Sequence, residues 1–198
     1  MAEPLSSLSL QKCWANSLAA LLLAGCASMK PSDFAAGRPV LDPEKFFNGY
    51  TRSSGVLENG SGAPKESVIT KTHGFWEGGM LHIEQELVFG NGKPRHRSWR
   101  IRRLDAHRYE ATGNDIVGTV HGEAYGNVFH WSFTVALSPG NPLTNVEMSQ
   151  WMYLEPDGHT MVNHSTIRKF GIVVAQVTEQ FRREADGKTG ANHPNCRK

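Results

Sequence analysis

Apolar and polar residues alternate with a period of two along several runs of this chain, and this pattern limits its fold more than any other feature. In residues 128–137, every second residue from Phe129 to Leu137 is large and apolar, and those between are polar or small. Successive side chains of a β-strand point to opposite faces of a sheet, so the run predicts a strand with one buried face. Further runs with this alternation, or rich in β-branched residues, are residues 80–89, 95–104, 145–154 and 166–181.

Turn signals separate these runs. Gly90, Asn91 and Gly92 lie between two alternating runs, which is typical of a β-hairpin. The sequence has no stretch with the apolar period of a long amphipathic helix. Many short strands joined by turns predict an all-β, antiparallel, up-and-down meander, and about 8–10 such strands close best into a barrel. We therefore expect a barrel that is polar outside and apolar inside.

The start of the chain predicts a targeting signal. Residues 14–24 are mostly apolar, over a length shorter than the roughly 20 residues of a membrane-spanning helix. Residues 23–26 read Leu-Ala-Gly-Cys, which resembles the bacterial lipobox, where the cysteine is lipidated and the signal is cut just before it. We predict a lipoprotein signal peptide at residues 1–25 and lipid attachment at Cys26. The alternative is a chance tetrapeptide at the start of a buried helix.

The residue that follows Cys26 bears on the compartment. It is Ala27 and not aspartate. By resemblance to lipoproteins of bacteria with two membranes, this favours transfer to the outer membrane, with the protein facing the periplasm. The expected membrane contact is therefore the lipid on Cys26.

The rest of the chain divides into a tether, one domain and a tail. Residues 26–40 predict a tether, residues 41–183 predict the barrel domain, and residues 184–198 predict a disordered tail. The cysteines are Cys13, Cys26 and Cys196, so the sequence gives the domain neither a disulfide nor a thiolate metal site. The net charge of +2 is too small to indicate a nucleic-acid partner.

A succession of short motifs resembles a known family. They are Phe46-Phe47-Asn48-Gly49, residues 74–78, residues 81–99, residues 109–118, His130-Trp131-Ser132-Phe133, Trp151-Met152-Tyr153-Leu154 and residues 163–171. In this order they resemble the DUF3833 family of bacterial lipoproteins. The resemblance implies a lipocalin-like (calycin-like) barrel and no assigned activity. Such proteins tend to be encoded near enzymes that act on membrane fatty acids, so the resemblance also favours an acyl-chain ligand.

Basic residues are concentrated in residues 93–108, which contain seven lysines and arginines. One interpretation is an electropositive flank that faces anionic lipid headgroups. The other is a solvated strand pair whose charges are balanced by acidic residues on neighbouring strands, and we favour it. The acidic candidates are Glu84, Glu86 and Glu110.

Arg97 falls on the same face of its run as Trp99 and Ile101. If that face points inward, an arginine lies inside the barrel. A buried arginine needs an anionic partner, because an unpaired buried charge is costly. The candidate partners are Glu147, Glu155, or a carboxylate or phosphate of a ligand.

The sequence carries no recognisable catalytic or metal-binding pattern, and we predict no cofactor. Its histidines form no His-x-His pair, and His121 and His130 are the pair that could meet across a hairpin. There is no Gly-x-Ser-x-Gly elbow, so Ser132 and Ser149 are interpreted as ordinary strand serines. Asp115 follows a glycine and an asparagine in a turn signature and is expected to bond to its own backbone.

Aromatic residues are the best candidates to line the interior. Together with Arg97, the candidate ligand-lining residues are Trp99, Trp131, Trp151 and Tyr153. Aromatic lining fits a ligand pocket and fits a packed core equally well. The leading hypothesis is a binding module for an amphiphilic or fatty-acid-like ligand. The alternatives are an enzyme acting on a membrane-derived small molecule, and a structural or interaction protein of the envelope with a packed barrel.

Overall fold

The alternating runs of the sequence form β-strands in the computed structural model, which describes residues 29–184. This part of the chain contains ten strands and one short helix, α1 (Pro43–Phe47). Turns of 3-10 helix span Pro31–Phe34 and Pro142–Thr144. The strands are β1 (Gly49–Asn59), β2 (Pro64–Glu77), β3 (Met80–Phe89), β4 (Arg95–Arg103), β5 (Arg108–Gly113), β6 (Val120–Tyr125), β7 (Val128–Val135), β8 (Val146–Leu154), β9 (Thr160–Lys169) and β10 (Ile172–Arg183).

Each strand pairs antiparallel with the next, and β1 pairs with β10 to close the barrel. The predicted up-and-down barrel is therefore confirmed, and the β-branched run at residues 166–181 contributes to two strands, β9 and β10. The predicted hairpin is also confirmed, because Gly90 and Gly92 lie in the turn between β3 and β4, where the Gly92 N–H donates to the carbonyl of Phe89 over 2.8 Å.

Helix α1 closes one end of the barrel, which we call the closed end. Its start is fixed by Asp42, whose carboxylate accepts hydrogen bonds from the N–H groups of Glu44 and Lys45 at the helix N-terminus. The helix buries Phe46 and Phe47 against the barrel core. The loops after β1, β3, β5, β7 and β9 lie at the other end, which we call the open end.

The inner surface differs from one side of the barrel to the other. Strands β3–β8 contribute large apolar side chains, as the alternation of β7 predicts, where Phe129 and Trp131 are buried. Strands β1, β2, β9 and β10 contribute many small or polar ones. The buried polar residues of these four strands are Thr51, Ser53, Thr70, Thr72, Thr160, Asn163, Ser165 and Glu179.

The chain before α1 contacts the outside of the barrel. The Phe34 ring lies 6.2 Å from that of Trp151 and 5.8 Å from that of Tyr153, and the Leu41 N–H donates to the carbonyl of Gly126 over 2.7 Å. Residues 31–40 belong to the predicted tether. In the structure this segment contacts the outer surface of the barrel, where Phe34 packs against the outward-facing rings of Trp151 and Tyr153. Residues 31–184 contain the closed barrel together with its core and belong to one compact unit.

Some sequence predictions lie outside the described residues. They are the signal peptide at residues 1–25, lipid attachment at Cys26, and all but the first residue of the tail at 184–198. Within residues 29–184, none of the helices has the length and apolar character needed to cross a bilayer.

Candidate functional site

The barrel encloses a cavity of about 870 Å³. Pro43 and Phe47 form its floor at the closed end, and Phe89, Leu137 and Val174 lie at its mouth at the open end. Ligand pockets typically measure roughly 300–1,000 Å³, so the cavity is large enough for an organic ligand. The sequence leaves open whether the interior is packed or hollow, and in the structure it is hollow.

Stacked indole rings dominate the apolar wall of the cavity. The Trp99 and Trp131 rings lie 4.7 Å apart with an angle of 25° between their planes. Trp99 Nε1 donates to Gln85 over 3.1 Å, and Trp131 Nε1 donates to Gln150 over 2.7 Å. Because each indole N–H is satisfied by a neighbouring amide, the rings are held in place and present apolar carbon to the cavity. Both residues line the cavity, as the sequence predicts.

The opposite wall presents a buried carboxyl group, Glu179, which is 7% exposed. Its Oε1 accepts hydrogen bonds from Ser53 Oγ over 2.7 Å and from Thr70 Oγ1 over 3.0 Å. Gly55 makes room for it, since a Cβ at Gly55 would lie 2.8 Å from Glu179 Cγ. Burial raises the pKa of Glu179, while its hydrogen bonds and the charge of Arg97 act against that rise.

We expect Glu179 to make the stability of the barrel depend on pH. A carboxyl group with a raised pKa in the folded state stabilises the fold fully when the pH is below its ordinary pKa of 4.5. This stabilisation is lost as the pH rises through the folded-state pKa. Glu179→Gln keeps an acceptor for Ser53 and Thr70 without the titration, so its free energy of unfolding should fall less than that of the parent protein between about pH 4 and pH 8. Urea denaturation across this range measures the difference.

Glu179→Ala is the matched comparison for Glu179→Gln. It leaves the Ser53 and Thr70 hydroxyls without their acceptor and should cost about 1–3 kcal/mol of stability throughout the pH range. Parallel pH profiles for Glu179→Gln and the parent protein would show that Glu179 does not titrate with a raised pKa.

Arg97 points into the barrel on the face that it shares with Trp99. Its Nε donates to both carboxylate oxygens of Asp115 over 2.9 Å, and its Nη2 donates over 2.7 Å. The partner is therefore neither Glu147 nor Glu155. The expectation that Asp115 bonds to its own backbone was wrong, because the loop between β5 and β6 brings its carboxylate to the guanidinium. Both residues line the cavity near its mouth. Arg97 uses Nε and Nη2 to bind Asp115, so its Nη1 takes no part in this ion pair.

Trp151 and Tyr153 do not line the cavity. They alternate along β8 with Met152 and Leu154, which are buried inside the barrel, so the two aromatic side chains face outward. There they contact Phe34, and the Trp151 ring also lies 4.2 Å from that of His130. The prediction that these two residues line the interior was wrong, because positions 151 and 153 lie on the outward face of β8.

The basic stretch at residues 93–108 is divided between the two ends of the barrel, because β4 runs along its full length. At the closed end, Arg103 contacts Asp42 at 2.6 Å. Arg102 pairs with Glu110 over 2.6 Å, which confirms one predicted cross-strand pair. Glu86 instead pairs with Lys71 over 3.0 Å. Lys93 and Arg95 lie at the open end.

Comparison with protein-family models identifies the family of this chain. A family model described as "Protein of unknown function (DUF3833)" matches residues 20–183. The chain belongs to the DUF3833 family. This confirms the family that the motif order resembles. None of the curated proteins matches this DUF3833 chain.

Solved structures share the fold of this DUF3833 barrel. One is an S-type phycobiliprotein lyase, CPES, from Guillardia theta, with a TM-score of 0.55 and 10% identity over 79% of this chain and 99% of that chain. Another is a protein of unknown function from the DUF3598 family of Nostoc punctiforme, with a TM-score of 0.51 and 15% identity over 80% of this chain and 53% of that chain. At these identities the likeness concerns the fold, and the predicted lipocalin-like barrel is confirmed.

His96 lines the cavity of the DUF3833 barrel, whereas His121 and His130 lie on the outward faces of β6 and β7. His130 Nε2 lies 3.1 Å from Ser149 Oγ on the outer surface, where burial lowers the His130 pKa. In the β6–β7 pairing, His130 faces Glu123, while His121 faces Ser132. Among residues 29–184, no three histidine, cysteine, aspartate or glutamate side chains are grouped for a metal ion.

The polar cavity residues that sequence reasoning missed include Gln85, Gln150 and Glu179. The signal for Gln85 and Gln150 was present, because each occupies the inward phase of an otherwise apolar run, β3 or β8. A glutamine in that phase indicates a buried polar partner, here an indole N–H.

Proposed function

We propose that this DUF3833 protein is a lipid-anchored binding barrel of the bacterial envelope, held to the outer membrane on its periplasmic side through Cys26. Its ligand would be an amphiphile with an acyl-like apolar part. The observation that carries this proposal is the cavity of about 870 Å³, which is closed by α1 at one end and lined on one side by Trp99 and Trp131. A packed envelope scaffold would have no need of such a space.

The polar groups of the cavity support an orientation for this ligand. The apolar part would lie along the aromatic wall, where burial of each methylene contributes about 0.8 kcal/mol. The head group would lie near the mouth, where Arg97 Nη1 can donate to an acceptor oxygen such as that of a carboxylate or phosphate. Asp115 holds the guanidinium in place and balances its charge when the cavity has no ligand.

Native mass spectrometry tests the proposal. We expect the chain from Ala27 onward, purified from a bacterial host, to retain a lipid-sized mass under gentle conditions and to lose it under denaturing ones. The same measurement on the full chain recovered from membranes reports the anchor, as an added diacylglyceryl mass that Cys26→Ser removes. A bare mass that persists after incubation with mixed envelope lipids would overturn the carrier proposal.

A double variant tests the role of Arg97 in the same protein. Arg97→Gln with Asp115→Asn removes both charges and leaves no unpaired carboxylate. An anionic acyl probe, cis-parinaric acid, should bind at least about tenfold more weakly, since a hydrogen bond to a charged group contributes about 1.5–3 kcal/mol. The neutral probe N-phenyl-1-naphthylamine should bind with unchanged affinity. An equal loss for both probes would mean that the pair maintains the cavity and does not bind a head group.

A further inference from the structure

The open end of the barrel carries several exposed apolar side chains. We call this set the apolar rim, and its members lie in or beside the loops after β5, β7 and β9: Val117, Leu137, Leu143, Phe170, Ile172 and Val174. Phe170 is 80% exposed, Leu143 is 72% exposed and Ile172 is 70% exposed. Leu137 and Val174 also line the cavity, so the rim is continuous with the proposed ligand site. Several large apolar side chains exposed at one end of a domain typically mark an interaction site.

Phe170 is the member of the rim that the fold itself explains least. It lies in the two-residue turn between β9 and β10 with a φ of 51°, and Gly171 follows with a φ of 78°. A turn with two positive φ angles favours asparagine followed by glycine, and a bulky residue is strained at its first position. Because the side chain is exposed and adds nothing to the core, its apolar character is best explained by a contact outside the chain.

Basic side chains accompany the apolar rim. Lys169 Nζ lies 5.8 Å from the centre of the Phe170 ring, and Arg168 precedes it on β9. At the same end, Lys93 lies in the turn between β3 and β4, and Arg95 is the first residue of β4. Two carboxylates at this end, Glu86 and Asp115, pair with Lys71 and Arg97. The acidic residues that remain are Glu58, Glu66 and Glu147, and they are outnumbered by Lys65, Lys93, Arg95, Arg168 and Lys169. Exposed aromatic and aliphatic groups next to cations fit the headgroup region of an anionic bilayer.

We propose that the apolar rim docks the open end of the barrel onto a lipid bilayer that contains anionic headgroups. The ligand would then pass between the bilayer and the cavity without crossing bulk water. Helix α1 closes the opposite end, so the mouth within the rim is the natural route to the cavity. The transfer step rests on the proposed function, whereas docking does not.

Vesicle binding tests the docking. The chain from Ala27 onward, produced without lipid, is sedimented with vesicles of phosphatidylcholine alone or mixed with phosphatidylglycerol. We expect binding to the mixed vesicles that weakens at high salt. Phe170→Asn with Ile172→Asn should lower the fraction bound at least about tenfold while keeping the barrel folded, because asparagine suits the turn position of Phe170. Lys169→Gln should reduce the preference for phosphatidylglycerol.

The matched control is Val40→Asn with Leu104→Asn, which removes two exposed apolar side chains at the closed end. Its vesicle binding should equal that of the parent protein. Absence of binding by the parent protein, or equal binding by the rim variant, would overturn the proposal. Reversible dimers in sedimentation velocity that the rim variant abolishes would overturn it too, because the rim would then cover a second copy of the chain.

The binding of N-phenyl-1-naphthylamine without vesicles separates this proposal from the proposed function. The rim variant should retain the affinity of the parent protein for this probe. If the protein binds the probe but does not bind vesicles, the docking proposal is overturned and the proposed function is not. Vesicle binding by a protein that binds no probe would overturn the proposed function alone.

Discussion

Filling the cavity from β10 should abolish ligand binding while the barrel stays folded. Val177 is buried and lines the cavity, and it pairs with Leu57 of β1 and Ser165 of β9. In Val177→Trp, the indole would occupy space that a ligand otherwise fills. We expect the affinity for N-phenyl-1-naphthylamine to fall at least about a hundredfold, because the apolar surface offered to the probe is lost. Fluorescence titration of the probe measures the change.

The stability of Val177→Trp distinguishes a filled cavity from a disrupted barrel. A larger side chain in a tightly packed core costs about 1–3 kcal/mol, and a side chain that enters an existing cavity should cost less. Val177→Phe should give an intermediate loss of probe affinity. Gln176→Trp, the neighbouring residue whose side chain points to the other face of β10, is the matched control and should bind the probe normally. Unchanged binding by Val177→Trp would mean that the cavity is not the probe site.

The alternation of the sequence was sufficient to predict the fold and one wall of the site. It predicted the inward faces of β3 and β7 because each strand has one mainly apolar and one mainly polar face. It also placed Arg97 on the face of Trp99, and the structure shows that this face points inward. It did not give Asp115 as the partner, because that contact depends on how the loop between β5 and β6 reaches the mouth of the cavity.

The polar wall could not be predicted in the same way. Strand β10 carries β-branched residues on both faces near its start, and a register irregularity between Val173 and Ala175 shifts the alternation along it. The phase of Glu179 is therefore hidden in the sequence. The hollow interior was also beyond pattern analysis, since it depends on the small size of residues such as Ser53, Gly55 and Thr70 facing the aromatic wall.

A single added carbon at Gly74 should open the floor of the cavity. Gly74 is buried on β2, and a Cβ there would lie 1.9 Å from the carbonyl oxygen of Phe47. That oxygen belongs to the backbone at the end of α1, so relief of the clash requires the helix to move away from the barrel. We expect Gly74→Ala to lose much of the burial of Phe46 and Phe47, and loss of a buried phenylalanine side chain costs about 3–5 kcal/mol. Urea denaturation measures the loss of stability.

A double-mutant cycle shows whether the loss comes from the displacement of α1. Phe47→Ala removes the ring that forms the floor but leaves the helix backbone in place. If Gly74→Ala already detaches α1, adding Phe47→Ala should cost little more, because the contacts of Phe47 are lost in both variants. Costs that add fully, or a cost below about 1 kcal/mol for Gly74→Ala, would show that the helix adapts to the extra carbon. Because an open floor leaves the cavity accessible from both ends, Gly74→Ala should also release N-phenyl-1-naphthylamine faster than the parent protein does, even at a temperature where the barrel remains folded.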